Sequence, residues 1–510
     1  MPAPAEFLQY VDDNANVFID RLRTAVSYRS VSGDLKRRED VKEMGEWLNK
    51  KLNEVGVTNT KLVDLGYQTK DGKKLDVKLP PVVLGRIGED PKKTTVLVYG
   101  HYDVQPADKK DGWTTEDPFK LEVLADGRMV GRGSTDDKGP VLGWINVLQY
   151  HHEKKKVLPV NLRFCFEGME ESGSEGLDAL IIKESKPGGW FYGTNCVCIV
   201  CISPVYPRHT SANQFAAFQF QSDNYWLNKD QPAVTYGVRG LSYFYVTITG
   251  PKKDLHSGIF GRTVHEPMTD LFALFSKLVS TDGTILIPGI EQMVPSPTPQ
   301  ERALYERLHY SMKDLEESVG ASIAIVENTA DTLMHRMRYP SLSIHGIQGA
   351  FSDDGPKSVI PGQIIGKFSI RLVPPMTAKK VEAQVELFLQ TEFAKLKSKN
   401  TIKIDHMEGA NPWLANYDHW NFRAAKIATQ AVYKKDPDFT REGGSIPVTL
   451  TFQDALNVNV LLLPMGRGDD GAHAQNEKLD RGNFINGTKL LGSYLYEVAT
   501  IDKKQRAQCK

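Results

Sequence analysis

Apolar residues recur at helical spacing near the start of the chain, first Phe18, Leu22, Ala25 and Val26, then Val41, Met44, Leu48, Leu52 and Val55. Positions three and four apart share one face of a helix, so each run predicts an amphipathic helix, the second stopped by Gly56. The pattern then changes to short apolar runs, rich in β-formers, at 95–99, 160–166 and 197–202, separated by helical stretches at 141–150 and 177–183. Strand and helix in alternation predict an α/β fold, a mostly parallel sheet flanked by helices on both faces. From about residue 235 longer β-rich runs at 241–249 and 365–372 enclose a helical pattern at 268–279, and another helix is predicted at 378–396. We read residues 236–411 as an α+β domain inserted into the first, which comprises 1–235 and 412–510. In the last part, 448–451 and 458–463 are expected to be further buried strands.

A chain of 510 residues exceeds a single hydrophobic core, which agrees with two domains. Lys plus Arg equals Asp plus Glu, 63 of each, so no net field recruits nucleic acid or an anionic membrane. No segment is apolar for long enough to span a bilayer, and the N-terminus lacks the basic start and apolar run of a secretory signal. The cysteine count is odd, five, and Cys196, Cys198 and Cys201 crowd one apolar stretch, pointing to reduced thiols and a cytoplasmic protein. Cys198 and Cys201 spell a CxxC, but no second pair completes a zinc site, so the stretch reads as a buried strand.

Polar motifs fall just after the predicted strands, where ligands of α/β sheets collect. The run 95–100 leads into His101-Tyr102-Asp103. Residues two apart in an extended chain face the same side, so His101 can ligate a metal with Asp103 supporting it; alone, the triplet also reads as a polar turn. In Gly131-Arg132-Gly133-Ser134-Thr135-Asp136-Asp137-Lys138-Gly139, Asp136 could bridge two cations, or Asp136 or Asp137 could cap the following helix. No GKS or GKT ending makes it a phosphate loop. Glu170 and Glu171 follow the next strand and face opposite ways, one suited to a metal and one to a substrate, although an acidic helix start accounts for them as well. Asp223 follows a fourth apolar segment, and Asp469-Asp470-Gly471-Ala472-His473 lies near the end. Together two histidines and three acids, His101, Asp136, Glu171, Asp223 and His473, form a coherent set for two divalent cations sharing one carboxylate.

The strings GHYDVQPA, GRGSTDDKGP, EGMEESGSEG, SDNYW, DLHSG, REGGSIPVT and GDDGAHAQNE, in this order, resemble the carnosinase-like zinc-peptidase family. The resemblance spans nearly the whole chain. It implies a two-metal exopeptidase fold and hydrolysis of dipeptides with zinc or manganese. One cation would sit on His101, Asp136 and Asp223, the other on Asp136, Glu171 and His473. Glu170 would be the general base and Asp103 the acid that orients the site. The inserted domain would be a lid through which two copies dimerise, His256 reaching the partner's site. Arg371 would hold the substrate carboxylate, with Ser358 and Ser445 as further substrate contacts. A related two-metal deacylase, an exopeptidase for longer peptides, or an impaired homologue acting as a binding protein are the competing readings.

Three departures from the family stand out. About nineteen extra residues, roughly 204–222, separate Asp223 from the strand that should place it, as a tolerated loop, a gene-model artefact or a disruption of that ligand. Glu408 stands where the family tends to have histidine. Ser358 replaces the more usual threonine and keeps the hydroxyl.

Overall fold

The computed structural model describes residues 2–70, 72–199 and 225–501. The extra segment 204–222 and Asp223 lie outside the described residues. Backbone packing divides the chain into two compact units, one of Met1–Gly237, Leu308–Tyr310 and Ala415–Lys510, the other of Val238–Arg307 and Ser311–Leu414.

In the first unit the main sheet runs in the order Val82–Ile87, Asn161–Glu167, Thr95–His101, Cys196–Ile199, Val460–Leu462, Ala233–Val238. Its middle is parallel: Thr95–His101 pairs with Asn161–Glu167 on one side and Cys196–Ile199 on the other, and the latter with Val460–Leu462. Antiparallel strands flank this centre. Every residue of Thr95–His101 and Asn161–Glu167 is buried, as expected of strands covered on both faces. The helix Lys138–Glu153, buried on nearly all sides, packs against Thr95–His101, while Trp420–Tyr433 and Pro447–Leu456 pack against Val460–Leu462. Val41, Met44, Leu48 and Leu52 are the buried stripe of the helix Arg38–Glu54.

One predicted element is wrong. Residues 448–451 form no strand; they belong to the helix Pro447–Leu456. Proline at the first helical position needs no amide hydrogen and presets φ, and Val448, Thr449 and Phe452 then fall on one buried face. The short β-branched run concealed that spacing. Val460–Leu462, within the second expected strand, does enter the sheet.

The second unit is a four-stranded antiparallel sheet ordered Ser341–Gln348, Gln363–Leu372, Gly240–Thr249, Thr401–Ala410. Alternate residues Phe244, Val246, Ile248, Ile364, Phe368 and Ile370 face Leu271, Leu274 and Phe275 of the helix Pro267–Phe275 and Val381, Val385 and Leu389 of Ala378–Leu396. The first of these helices stops short of the predicted 279 because Val279 bridges Ile285 instead. Phe368 stacks on Phe244 at 5.0 Å and meets the edge of Phe275 at 5.8 Å. Phe368→Ala is therefore expected to destabilise this unit by about 3–5 kcal/mol, read as a lowered denaturant midpoint in urea.

Candidate active site

His101 closes the strand Thr95–His101 and is fully buried. The strand end can approach the next helix because residue 100 is glycine: a Cβ there would lie 2.6 Å from Val141 and 2.7 Å from Asp137. Asp137 precedes the helix Lys138–Glu153 but does not cap it. Its Oδ2 accepts the His101 amide at 3.1 Å, so this acid fixes the strand end and leaves Asp136 to face the histidines. Lys138 donates to the carbonyls of Ala25 and Tyr28, tying the same loop to the helix Ala15–Ser27, and burial lowers its pKa to about 7.

Asp136 lies between two imidazoles, Oδ1 3.1 Å from His101 Nε2 and Oδ2 3.1 Å from His473 Nε2. His473 Nε2 is also 3.0 Å from Glu171 Oε2, which accepts from Gln105 Nε2 at 2.7 Å. On the far side of His101, Nδ1 is 3.4 Å from Asp103 Oδ1. Asp103 also accepts the backbone amides of Glu170 at 3.2 Å and Glu171 at 3.0 Å, and its own carbonyl lies 3.2 Å from His101 Nδ1, so one residue sets both the imidazole and the turn that carries the two acids. Glu170 is 2 % exposed, and its Oε2 has no hydrogen-bond partner among the described residues, lying 4.0 Å from His101 Nε2.

Electrostatics show what charge such a cluster favours. Asp103, Asp136, Glu170 and Glu171 are four buried acids around two imidazoles, an excess of negative charge even with both histidines protonated. Burial would lower His101 and His473, yet the surrounding carboxylates raise both well above the ordinary histidine value. Burial would likewise raise Asp136, but hydrogen bonds from the two histidines hold it far below the usual range. Glu170 has no such partner, so burial drives it well above an ordinary carboxylate, with Glu171, Asp103 and Asp136 adding to the effect against the pull of His101. Nitrogen and oxygen ligands of a tetrahedral zinc-like ion sit roughly 3.3 Å apart, close to the spacings between these side chains. Ligand atoms of Asp136, Glu171 and His473 all fall within 4.8 Å of one another. The donor set therefore fits divalent cations.

The structure thus brings together His101, Asp103, Asp136, Glu170, Glu171 and His473; Asp223 falls outside the described residues. Ser445, in the same unit, is buried between the strand Asp438–Glu442 and the helix Pro447–Leu456. In the second unit, His256 is exposed at the start of the short helix Ser257–Phe260, its Nδ1 accepting the Gly258 amide at 3.0 Å. His256 pairs across the strands with Val359, which sets it beside exposed Ser358, whose carbonyl accepts the Ser257 amide at 3.2 Å. Arg371 sits half-buried on Gln363–Leu372, and the backbone of Glu408 pairs with Tyr243. Sequence reasoning overlooked Gln105, the Thr135–Asp470 hydrogen bond at 2.9 Å, and the pair Arg132 and Glu477. All lie inside the motif strings, where polar and charged residues beside the ligands were the available signal.

Residues 97–497 match the model of peptidase family M20/M25/M40. The chain is 50 % identical over 493 residues to the Cys-Gly metallodipeptidase dug1 of Schizosaccharomyces pombe, covering 97 % of this chain and 98 % of the relative. To the human Beta-Ala-His dipeptidase it is 41 % identical over 506 residues, covering 98 % and 94 %. Among solved structures it resembles the di-peptidase Dug1p of Saccharomyces cerevisiae, with a TM-score of 0.86, 47 % identity and 98 % of each chain covered. Human carnosine dipeptidase 1 follows with a TM-score of 0.85 and 40 % identity, over 98 % of this chain and all of that one.

Proposed function

The chain belongs to peptidase family M20/M25/M40, and from that premise we propose that it hydrolyses dipeptides of varied sequence with two divalent cations, zinc or manganese. The carrying observation is Asp136, which turns one carboxylate oxygen toward each of two histidines beside the buried Glu170, whose Oε2 accepts no hydrogen bond among the described residues. His101, Asp136 and Asp223 would hold one cation, and Asp136, Glu171 and His473 the other. When bound, the pair lowers the pKa of a water toward neutrality and polarises the peptide carbonyl.

Glu170 takes the proton of the attacking water and returns it to the departing amine nitrogen. Asp103 keeps His101 oriented and holds the Glu170 backbone, so the base stays aimed as its charge changes. Arg371 binds the substrate carboxylate through its guanidinium fork, and Ser358 and Ser445 add hydrogen bonds. A held terminal carboxylate measures substrate length, which favours dipeptides.

The second unit acts as lid and dimer surface, and His256 stabilises the oxyanion in the partner's site. Exposed Ile259, Phe260 and Val264 near His256 support a covering second copy. No helix among the described residues is long and apolar enough to cross a membrane. The buried thiols of Cys165 and Cys198 support a reducing cytoplasm.

Elemental analysis combined with rates on dipeptides, N-acyl amino acids and tripeptides tests this reading. Two cations per chain and a preference for dipeptides are expected; a preference for N-acyl amino acids would make the protein a deacylase. Arg371→Met is expected to raise KM for dipeptides by about 10–100-fold, the worth of a charged hydrogen bond, while a dipeptide amide that lacks the carboxylate loses little.

A further inference from the structure

Asp136 and His473 approach each other from loops more than three hundred residues apart, so no local structure fixes their separation. Between those loops lies Glu477, fully buried and outside the donor set. Its Oε1 accepts the backbone amides of Thr135 and Asp136, each at 3.1 Å. Its Oε2 accepts the Gly133 amide at 3.0 Å and Arg132 Nη1 at 2.7 Å. Arg132 carries the connection onward: Nη2 donates to the carbonyls of His473 at 3.2 Å and Ala474 at 3.1 Å.

Placing another carboxylate beside a cluster already rich in acids is unfavourable on charge grounds alone, and burial, with the Asp136 charge adding to it, pushes Glu477 upward. Arg132 offsets that charge, and the amide hydrogen bonds give the carboxylate a geometric task. His473 meanwhile has φ of +62°, a left-handed conformation that a residue with a side chain adopts only when its surroundings impose it. The guanidinium on its carbonyl is part of that imposition.

The geometry points to Glu477 as a positioning residue that, through Arg132, sets the spacing of Asp136 and His473 and so the grip of the site on its cations. This rests on the two-cation reading above. Glu477 touches neither substrate nor reacting atoms and acts only through the loops it holds.

Two substitutions test it in the full-length, metal-loaded enzyme. Glu477→Gln keeps the shape but turns an amide NH₂ toward donors whichever way it flips. Arg132→Lys keeps the charge, but one ammonium cannot span both Glu477 and the loop carbonyls as the fork does. Metal content is measured after dialysis against graded chelator, melting temperature with and without metal, and kcat and KM at saturating metal.

Both variants are expected to release metal at a chelator concentration about 10–100-fold lower than wild type. The gain in melting temperature on adding metal should shrink, and kcat fall with KM within about threefold. If Glu477→Gln does not fold, Arg132→Lys carries the test by the same readings. Unchanged chelator curves, with melting lowered equally in both metal states, would overturn the positioning role. Failure of the underlying reading looks different: Asp136→Asn would then leave the metal content of the chain at the wild-type value.

Discussion

Replacing Glu170 with glutamine is expected to lower kcat by about 10²–10⁴-fold at unchanged metal content, the range attributable to a positioned general base. Glutamine has the size of glutamate and can occupy the same buried niche, so packing survives and only the proton acceptor is lost. The backbone amides of Glu170 and Glu171 still reach Asp103, and His101 keeps its place. Stopped assays on a dipeptide, paired with elemental analysis, check this; a variant retaining most of its activity would remove Glu170 from the reaction. The same substitution should stabilise the metal-free protein near neutral pH. Burial raises Glu170 above its ordinary value, so the unfolded chain loses this proton first and stability falls as pH rises from about 4.5 through the folded value. Glutamine removes that loss, and the metal-free variant should melt higher than metal-free wild type at pH 7. Such a gain at the cost of turnover is the usual mark of a group kept for chemistry.

Why some of this was readable from sequence and some was not follows from how each group is held. His101, Asp136, Glu170, Glu171 and His473 are announced by local signals: an apolar strand ends, the chain turns, and a charged residue sits where burial would otherwise forbid it. Their convergence in space could be expected because strand order in an α/β sheet brings such ends to one edge. The helix Pro447–Leu456 is hidden in the sequence because four β-branched or apolar residues in a row fit either period, and only proline at its first position favours the helix. Capping by Asp136 or Asp137 is the alternative that neighbours in sequence suggest, whereas the acceptor role of Asp137 depends on a strand some thirty-six residues away. Glu477 and Arg132 are the extreme case. Each has an ordinary reading as a surface charge, and the separation of 345 residues between them hides the buried pair until the fold is known.

Asp136→Asn is expected to cost more than any loss at the edge of the site, because among the described residues Asp136 alone addresses both histidines. An amide keeps one oxygen, so at most one of the two contacts near 3.1 Å remains a ligand position, and the NH₂ group turns a donor toward the other. It also removes one negative charge from between two imidazoles. Without metal, burial pulls His101 and His473 down while Asp103 raises the first and Glu171 the second, with Asp136 adding to both, so the variant's histidines should titrate lower than those of the wild type. Elemental analysis should show fewer than two cations per chain, and dipeptide turnover should fall by well over about 10²-fold, the upper end for losing a group that only supports a ligand. Excess zinc or manganese should restore little, since the missing oxygen cannot be supplied by concentration. Full stoichiometry with near-normal turnover would mean that the cations do not share this carboxylate, and the chemistry of the site would have to be rebuilt around separate ions. The two substitutions thus separate binding from reaction: Glu170→Gln keeps the metal and loses the proton transfer, while Asp136→Asn loses the metal that gives the proton transfer its purpose.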